Sequence, residues 1–154
     1  MTRIAVISDM HGNDLAFEVV EADIQKQGID QIVCLGDAVQ GGPQPLQVVQ
    51  RLRRLNCPVV MGNADAWLIS GQETGDEDIP PERLRKMGEV RNWSLAQLSE
   101  DDIDFIAGFQ PTVTIHLENG LELLCFHGSP TSFDDAILPA APEEEFQKLL
   151  GAYT

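Results

Sequence analysis

Positive charge is what this sequence most lacks. Ten Lys+Arg stand against twenty-five Asp+Glu, a formal net charge of -15 over 154 residues. No basic patch is visible, and such a field repels a phosphate backbone, so nucleic acid is not expected as a partner unless divalent ions bridge the phosphates. Long apolar runs are missing too. Nothing approaches the ~20 residues that span a bilayer, and residues 1–10 lack the basic start and small-residue cleavage site of a secretory signal. No membrane association is expected. Cysteine is sparse and odd in number: Cys34, Cys57 and Cys125 each sit in or beside an apolar run. A disulfide framework is therefore not expected, and the three read as reduced core residues of a cytoplasmic protein. Histidine is also scarce, with only His11, His116 and His127. No repeat period and no linker divides the chain. A single domain over residues 1–154 is expected, and 43% apolar residues suffice for its core.

What is present is a repeated grammar of short apolar run, polar loop and helical stretch. Ile4-Ala5-Val6-Ile7 is apolar on both faces, as a covered parallel strand requires. Asn13 or Asp14 caps a helix whose Leu15, Val19 and Ala22 share one face, with Gly28 as its stop. Ile32-Val33-Cys34-Leu35 follows, then Gly36-Asp37 and a loop. A second helix carries Leu46, Val49, Leu52 and Leu55 as one stripe. Pro58–Met61 reads as a third strand, ended by Gly62-Asn63-Ala64-Asp65. This β-α-β-α-β order implies a parallel sheet with right-handed crossovers.

Beyond it, Ser70 to Glu82 ("SGQETGDEDIPPE") is acidic and rich in Gly and Pro, the composition of a surface loop or lid. Arg91 to Leu98 suggests a short helix around Trp93, and both tryptophans read as core or helix-packing residues. Ser99 with Asp102 forms a capping pair for another helix ending near Gly108. In residues 112–127 the period changes to two: Val113, Ile115 and Leu117 alternate with Thr112, Thr114 and His116, and Asn119-Gly120 marks a hairpin turn. His116 therefore reads as a surface residue. A last helix is expected from Pro142 to Leu150. The whole is a mixed α/β chain with αββα layering.

Open parallel sheets bind ligands at the carboxyl ends of their strands. There the chain places Asp9-x-His11, Gly36-Asp37 and Gly62-Asn63, and the strand ending at His127-Gly128 adds an imidazole. Asp9, His11, Asp37, Asn63 and His127 supply two carboxylates, two imidazoles and an amide oxygen. Such mixed oxygen and nitrogen ligation suits Mn, Fe, Ni or Zn better than calcium or a thiolate zinc site. A carboxylate such as Asp37 can bridge a pair of ions about 3.5–4 Å apart. No side-chain nucleophile is evident, and "GDAVQGGP" lacks the spacing of a dinucleotide or Walker loop.

The stretches "DMHGN", "GDAVQGGPQP", "GNAD" and "FHGSP" resemble the ordered motifs of the calcineurin-like metallophosphoesterases, in particular the small single-domain bacterial and archaeal branch. The resemblance runs from Ile4 to about Pro130. It implies a two-sheet sandwich with helices outside and two divalent metal ions. Asp9 and His11 would hold the first ion, Asp37 would bridge, and Asn63 and His127 would hold the second. The implied activity is hydrolysis of a small phosphomonoester or phosphodiester by a metal-activated water. Two departures stand out. The histidine that many relatives carry after G-N is Ala64 here, which leaves Asn63 and Asp65 as the catalytic candidates and assigns leaving-group protonation to Asp65, to water, or to nothing. The terminal G-H-x-H of the relatives is absent, so the domain is expected to be C-terminally incomplete, with an open sheet edge that invites homo-oligomers. The rival reading is a non-catalytic scaffold on the same fold, similar to the phosphoesterase-like subunit of the retromer coat.

Overall fold

The computed structural model describes residues 2–72 and 79–151. Strands β1 (Ile4–Ile7) and β2 (Gln31–Cys34) pair in parallel, Ile4 opposite Gln31 and Ile7 opposite Cys34, joined by helix α1 (Asp14–Gln27). α1 starts at Asn13, whose side chain accepts from the Ala16 amide, and stops at Gly28 in the left-handed region with φ 62°. Both ends agree with the residues that announce them.

The third parallel segment is shorter than its sequence suggests. Val59 bridges Cys34, and Val60 bridges Gln110, each as a single parallel pair. Pro58 has no amide hydrogen to give, and helix α3 (Asn63–Ser70) starts right after Gly62, so only two residues remain for pairing. The sheet still runs β1, β2, Val59-Val60, Gln110, tied by Val60 N–H to Cys34 O at 2.8 Å and Met61 N–H to Gln110 O at 2.7 Å.

Helix α2 (Pro45–Leu55) connects β2 to this segment and buries Val48, Val49 and Leu52. Helices α4 (Pro81–Leu95) and α5 (Glu100–Ala107) follow. α5 has the reciprocal Ser99–Asp102 capping box. α4 begins ten residues before the expected Arg91, with Pro81 as a first-turn proline in the position that spares its missing amide. Of the acidic Gly/Pro stretch expected as a loop, residues 73–78 lie outside the described residues. Strands β3 (Thr112–His116) and β4 (Glu122–Phe126) are antiparallel, Thr112 opposite Phe126, and a 3₁₀ turn at Glu118–Gly120 joins them. Helix α6 (Glu143–Leu150) closes the described chain.

Two apolar clusters define the layers. Ile7, Phe17, Cys34, Val49, Leu52, Leu68 and Ile106 lie between the parallel sheet and the helices. Val33 and Val60 face the other way, against Ile115 and Cys125 of the hairpin. The result is a helix–sheet–sheet sandwich in a mixed α/β chain. The three cysteines are free, and burial pushes the Cys34 thiol up to about 12. None of the described helices is long and apolar enough to cross a membrane.

Two packing expectations are corrected. On α1 the buried residue is Phe17, while Leu15 and Val19 are 66% and 70% exposed. Arg51 decides which face turns inward. Its guanidinium donates to Asp14 Oδ1 at 2.6 Å and Oδ2 at 2.9 Å, donates to Glu21, and lies 5.7 Å over the Phe17 ring. Residues 14, 17 and 21 share one stripe at helical spacing. Trp93 is also exposed, in a shallow groove that it lines with Gly41, Gly42 and Pro43.

Candidate metal centre

Three backbone bonds stitch the loop after β1 to the loop after β2. Asp9 N–H donates to Gly36 O (3.0 Å), His11 N–H to Asp37 O (2.9 Å) and Gly12 N–H to Ala38 O (2.8 Å). They bring Asp9, His11 and Asp37 together, with one potential ligand atom from each lying within 4.8 Å of the others. Among the described residues, positive φ occurs at four non-glycine positions, Asp9, His11, Asp37 and Asn56. Three of those four carry the cluster. An L-residue in the left-handed region costs on the order of 1 kcal/mol or more, so the surrounding fold holds these side chains in place against their backbone preference. Gly62 makes the close approach of α3 feasible: a Cβ there would lie 2.2 Å from Asp37 Oδ1.

Both imidazoles are oriented by their far nitrogens. His11 Nδ1 lies 2.9 Å from Gln40 O, and His127 Nδ1 lies 2.8 Å from Leu35 O. A carbonyl only accepts, so each Nδ1 carries a proton, and in the neutral ring Nε2 keeps a lone pair. Those Nε2 atoms converge on one carboxylate oxygen, Asp37 Oδ2, at 3.6 Å from His11 and 3.7 Å from His127. His11 Nε2 is also 3.7 Å from Asp9 Oδ1, and His127 Nε2 is 3.0 Å from Asn63 Oδ1. All five residues singled out from the sequence therefore meet around Asp37, which is itself buried. With both rings neutral, the lone pairs facing one another offer a place for a cation. The donor set of two carboxylates, two Nδ1-anchored imidazoles and an amide oxygen fits divalent ions.

Asp65, the other catalytic candidate from the sequence, contacts the loop that carries Asp37. It is fully buried, with Oδ1 and Oδ2 accepting from Ala38 N–H at 3.2 and 3.1 Å and Oδ1 from Val39 N–H at 2.9 Å. Burial pushes its carboxyl up to about 6, opposed by those amides and helped by the charge of Asp37. It braces the Gly36–Gln40 loop, and the Ala64 N–H donates to Asp37 Oδ1 at 2.8 Å. His116 is exposed and pairs with Glu122 at 3.0 Å, away from the cluster. Sequence reasoning missed Gln40, whose carbonyl aligns His11 and whose own Oε1 is buried with no hydrogen-bond partner among the described residues. Nothing in its neighbourhood of glycines flags a positioning role. Beside the cluster opens a cavity of about 1050 Å³ that includes His11 and Asn63 in its wall.

The model of the family described as calcineurin-like phosphoesterase matches residues 2–149. The chain belongs to that family. It is 33% identical over 130 residues to the uncharacterized protein MJ0912 of Methanocaldococcus jannaschii, a match that covers 84% of this chain and 50% of that one. Among solved structures it is similar to a metallophosphoesterase from Sphaerobacter thermophilus, with 30% identity and a TM-score of 0.64 over 88% of this chain and 51% of the other. The chain thus spans about half the length of these relatives. The family uses divalent metals, and in this chain Asp9, His11 and Asp37 group as a candidate site.

Proposed function

We propose that the domain hydrolyses a small phosphorylated substrate at a pair of divalent ions, with Asp37 between them. Asp9 and His11 would serve the first ion, and Asn63 and His127 the second. The observation that carries this reading is the convergence of two Nε2 lone pairs on Asp37 Oδ2 at 3.6 and 3.7 Å, with both rings locked by backbone carbonyls at Nδ1. Divalent ions bound there would neutralise the phosphoryl group and lower the pKa of an attacking water. Water oxygen bonds to phosphorus, the ester P–O bond breaks, water's proton passes to solvent, and the leaving oxygen takes a proton. Asp65 is not placed to give that proton, because its oxygens face the Ala38 and Val39 amides. Solvent entering the open cavity supplies it, which favours leaving groups that need little help.

The test is hydrolysis of p-nitrophenyl phosphate and bis(p-nitrophenyl) phosphate with manganese added, set against Asp37→Asn. Turnover that requires metal and falls at least 100-fold in the variant supports the reading. Calorimetry that detects no manganese binding at millimolar concentration would hand the fold to the scaffold reading.

A further inference from the structure

The cavity that opens on the cluster is far larger than a phosphate. At about 1050 Å³ it has the size of a site for an extended organic ligand. One wall is a stripe of α4: Arg83, Lys86, Met87 and Val90 are spaced i, i+3, i+4 and i+7, so they share one helical face, and all four line the cavity. The stripe reads as two cations followed by two apolar groups. α4 buries only Ser94 among its own residues, so this face is not spent on the core. Trp67 and Leu149 add apolar surface to the wall.

The cations carry the argument. In a chain with ten Lys+Arg and a net charge of -15, two line the same cavity. Lys86 lies 3.5 Å from Glu82, an exposed pair that leaves its ammonium open to another partner. Arg83 has no side-chain partner among the described residues. The acids of the lining are Asp134, Asp135 and Glu145, and Asp135 already accepts from Ser129 Oγ at 2.5 Å. An anionic ligand entering here is repelled by those acids and drawn to α4, where guanidinium and ammonium are the groups that recognise phosphate.

Resting on the phosphoesterase reading, we infer that Arg83 and Lys86 bind a second phosphoryl group of the substrate. The substrate class is then an organic compound with two phosphoryl groups joined through an apolar or aromatic body: the scissile one over Asp37, the other against α4, and the body along Trp67, Met87 and Val90.

Equilibrium binding of adenosine 5′-monophosphate and of adenosine, read by tryptophan fluorescence without added metal, tests the subsite apart from catalysis. The nucleotide should bind about tenfold tighter, the scale of one charge-assisted contact. Arg83→Gln/Lys86→Gln should remove that gap, while Arg85→Gln, which lies off the cavity, should keep it. With manganese, the ratio of kcat/KM for adenosine 3′,5′-bisphosphate over adenosine 5′-monophosphate should fall toward one in the same double variant. Equal binding of nucleotide and nucleoside by the parent protein, or a gap that survives the double variant, overturns the inference. So does tighter binding of phosphoethanolamine, which would assign the cavity to its acidic wall. A gap that behaves as expected without any manganese-dependent turnover keeps the subsite and removes the phosphoesterase reading; turnover without a gap does the reverse.

Discussion

Asp65 offers the sharpest energetic test, because two substitutions there perturb the same pair of backbone amides to different degrees. Its carboxylate receives Ala38 N–H on both oxygens, at 3.2 and 3.1 Å, and Val39 N–H on Oδ1 at 2.9 Å. Both amides belong to residues with no solvent exposure. Asp65→Ala leaves two buried donors without an acceptor, and each costs about 1–3 kcal/mol, so the variant should lose about 2–6 kcal/mol before any packing loss. Asp65→Asn keeps Oδ1 for both donors but sets an NH₂ against the Ala38 amide; it should cost about 1–2 kcal/mol. The order matters more than either value. Urea denaturation followed by circular dichroism at pH 8 measures both. The consequence should also reach the metal site, since the braced loop carries Asp37 and the Gln40 carbonyl that aligns His11. Manganese binding by calorimetry should weaken more in the alanine variant than in the asparagine variant. If alanine and asparagine are equally stable, or if alanine costs under about 1 kcal/mol, the brace is not what holds the loop.

Three other outcomes follow from the same geometry. Gly62→Ala puts a methyl 2.2 Å from Asp37 Oδ1 and 2.3 Å from Asp37 N, so α3 must retreat; a loss of about 3 kcal/mol or more in urea is expected, and a shift under about 1 kcal/mol would contradict it. Manganese at 100 times its dissociation constant should add about 2.7 kcal/mol of stability, reversed by chelation and largely absent in Asp37→Asn; thermal melts with and without metal read this directly. At Asp14 the hydrogen bond from Arg51, aided by its charge, holds the carboxyl below its usual value. A depressed folded pKa gives stability that is present above the unfolded value near 3.8 and lost as pH falls through the folded one. The destabilisation by Asp14→Asn, about 1–3 kcal/mol at pH 7, should shrink toward zero below that point, and a pH-independent difference would refute the pairing.

That the five candidate residues would meet was legible because each sits where an apolar run stops, and a parallel sheet delivers the ends of its strands to one edge whatever the lengths of the helices between them. Ile4–Ile7 and Ile32–Leu35 needed no tertiary information to be strands, and the ligands that follow them inherit their placement. Side chains inside helices carried no such guarantee. Leu15 and Val19 form as good a stripe as Asp14, Phe17 and Glu21, and periodicity alone ranks the apolar stripe as the inner one. The outcome turned on Arg51, a residue 30 to 37 positions away whose guanidinium finds both carboxylates and the Phe17 ring. Asp65 shows the same limit of periodicity. A carboxylate two residues after Asn63 looks available for chemistry, yet on a helix it points away from Asn63, and the loop it meets can approach only because Gly36 and Gly62 lack side chains: a Cβ on Gly36 would lie 2.5 Å from Gly62 N. Sequence thus announces where backbone must turn, whereas the partner of a buried charge is fixed by close approaches that glycine permits but does not name. That difference bears on the function as well. The proposed ligands around Asp37 follow from strand ends and are insensitive to how the outer helices settle, while the selectivity proposed for Arg83 and Lys86 depends on how α4 settles over the cavity, so changing that one helix face should change the substrate without touching the candidate metal centre.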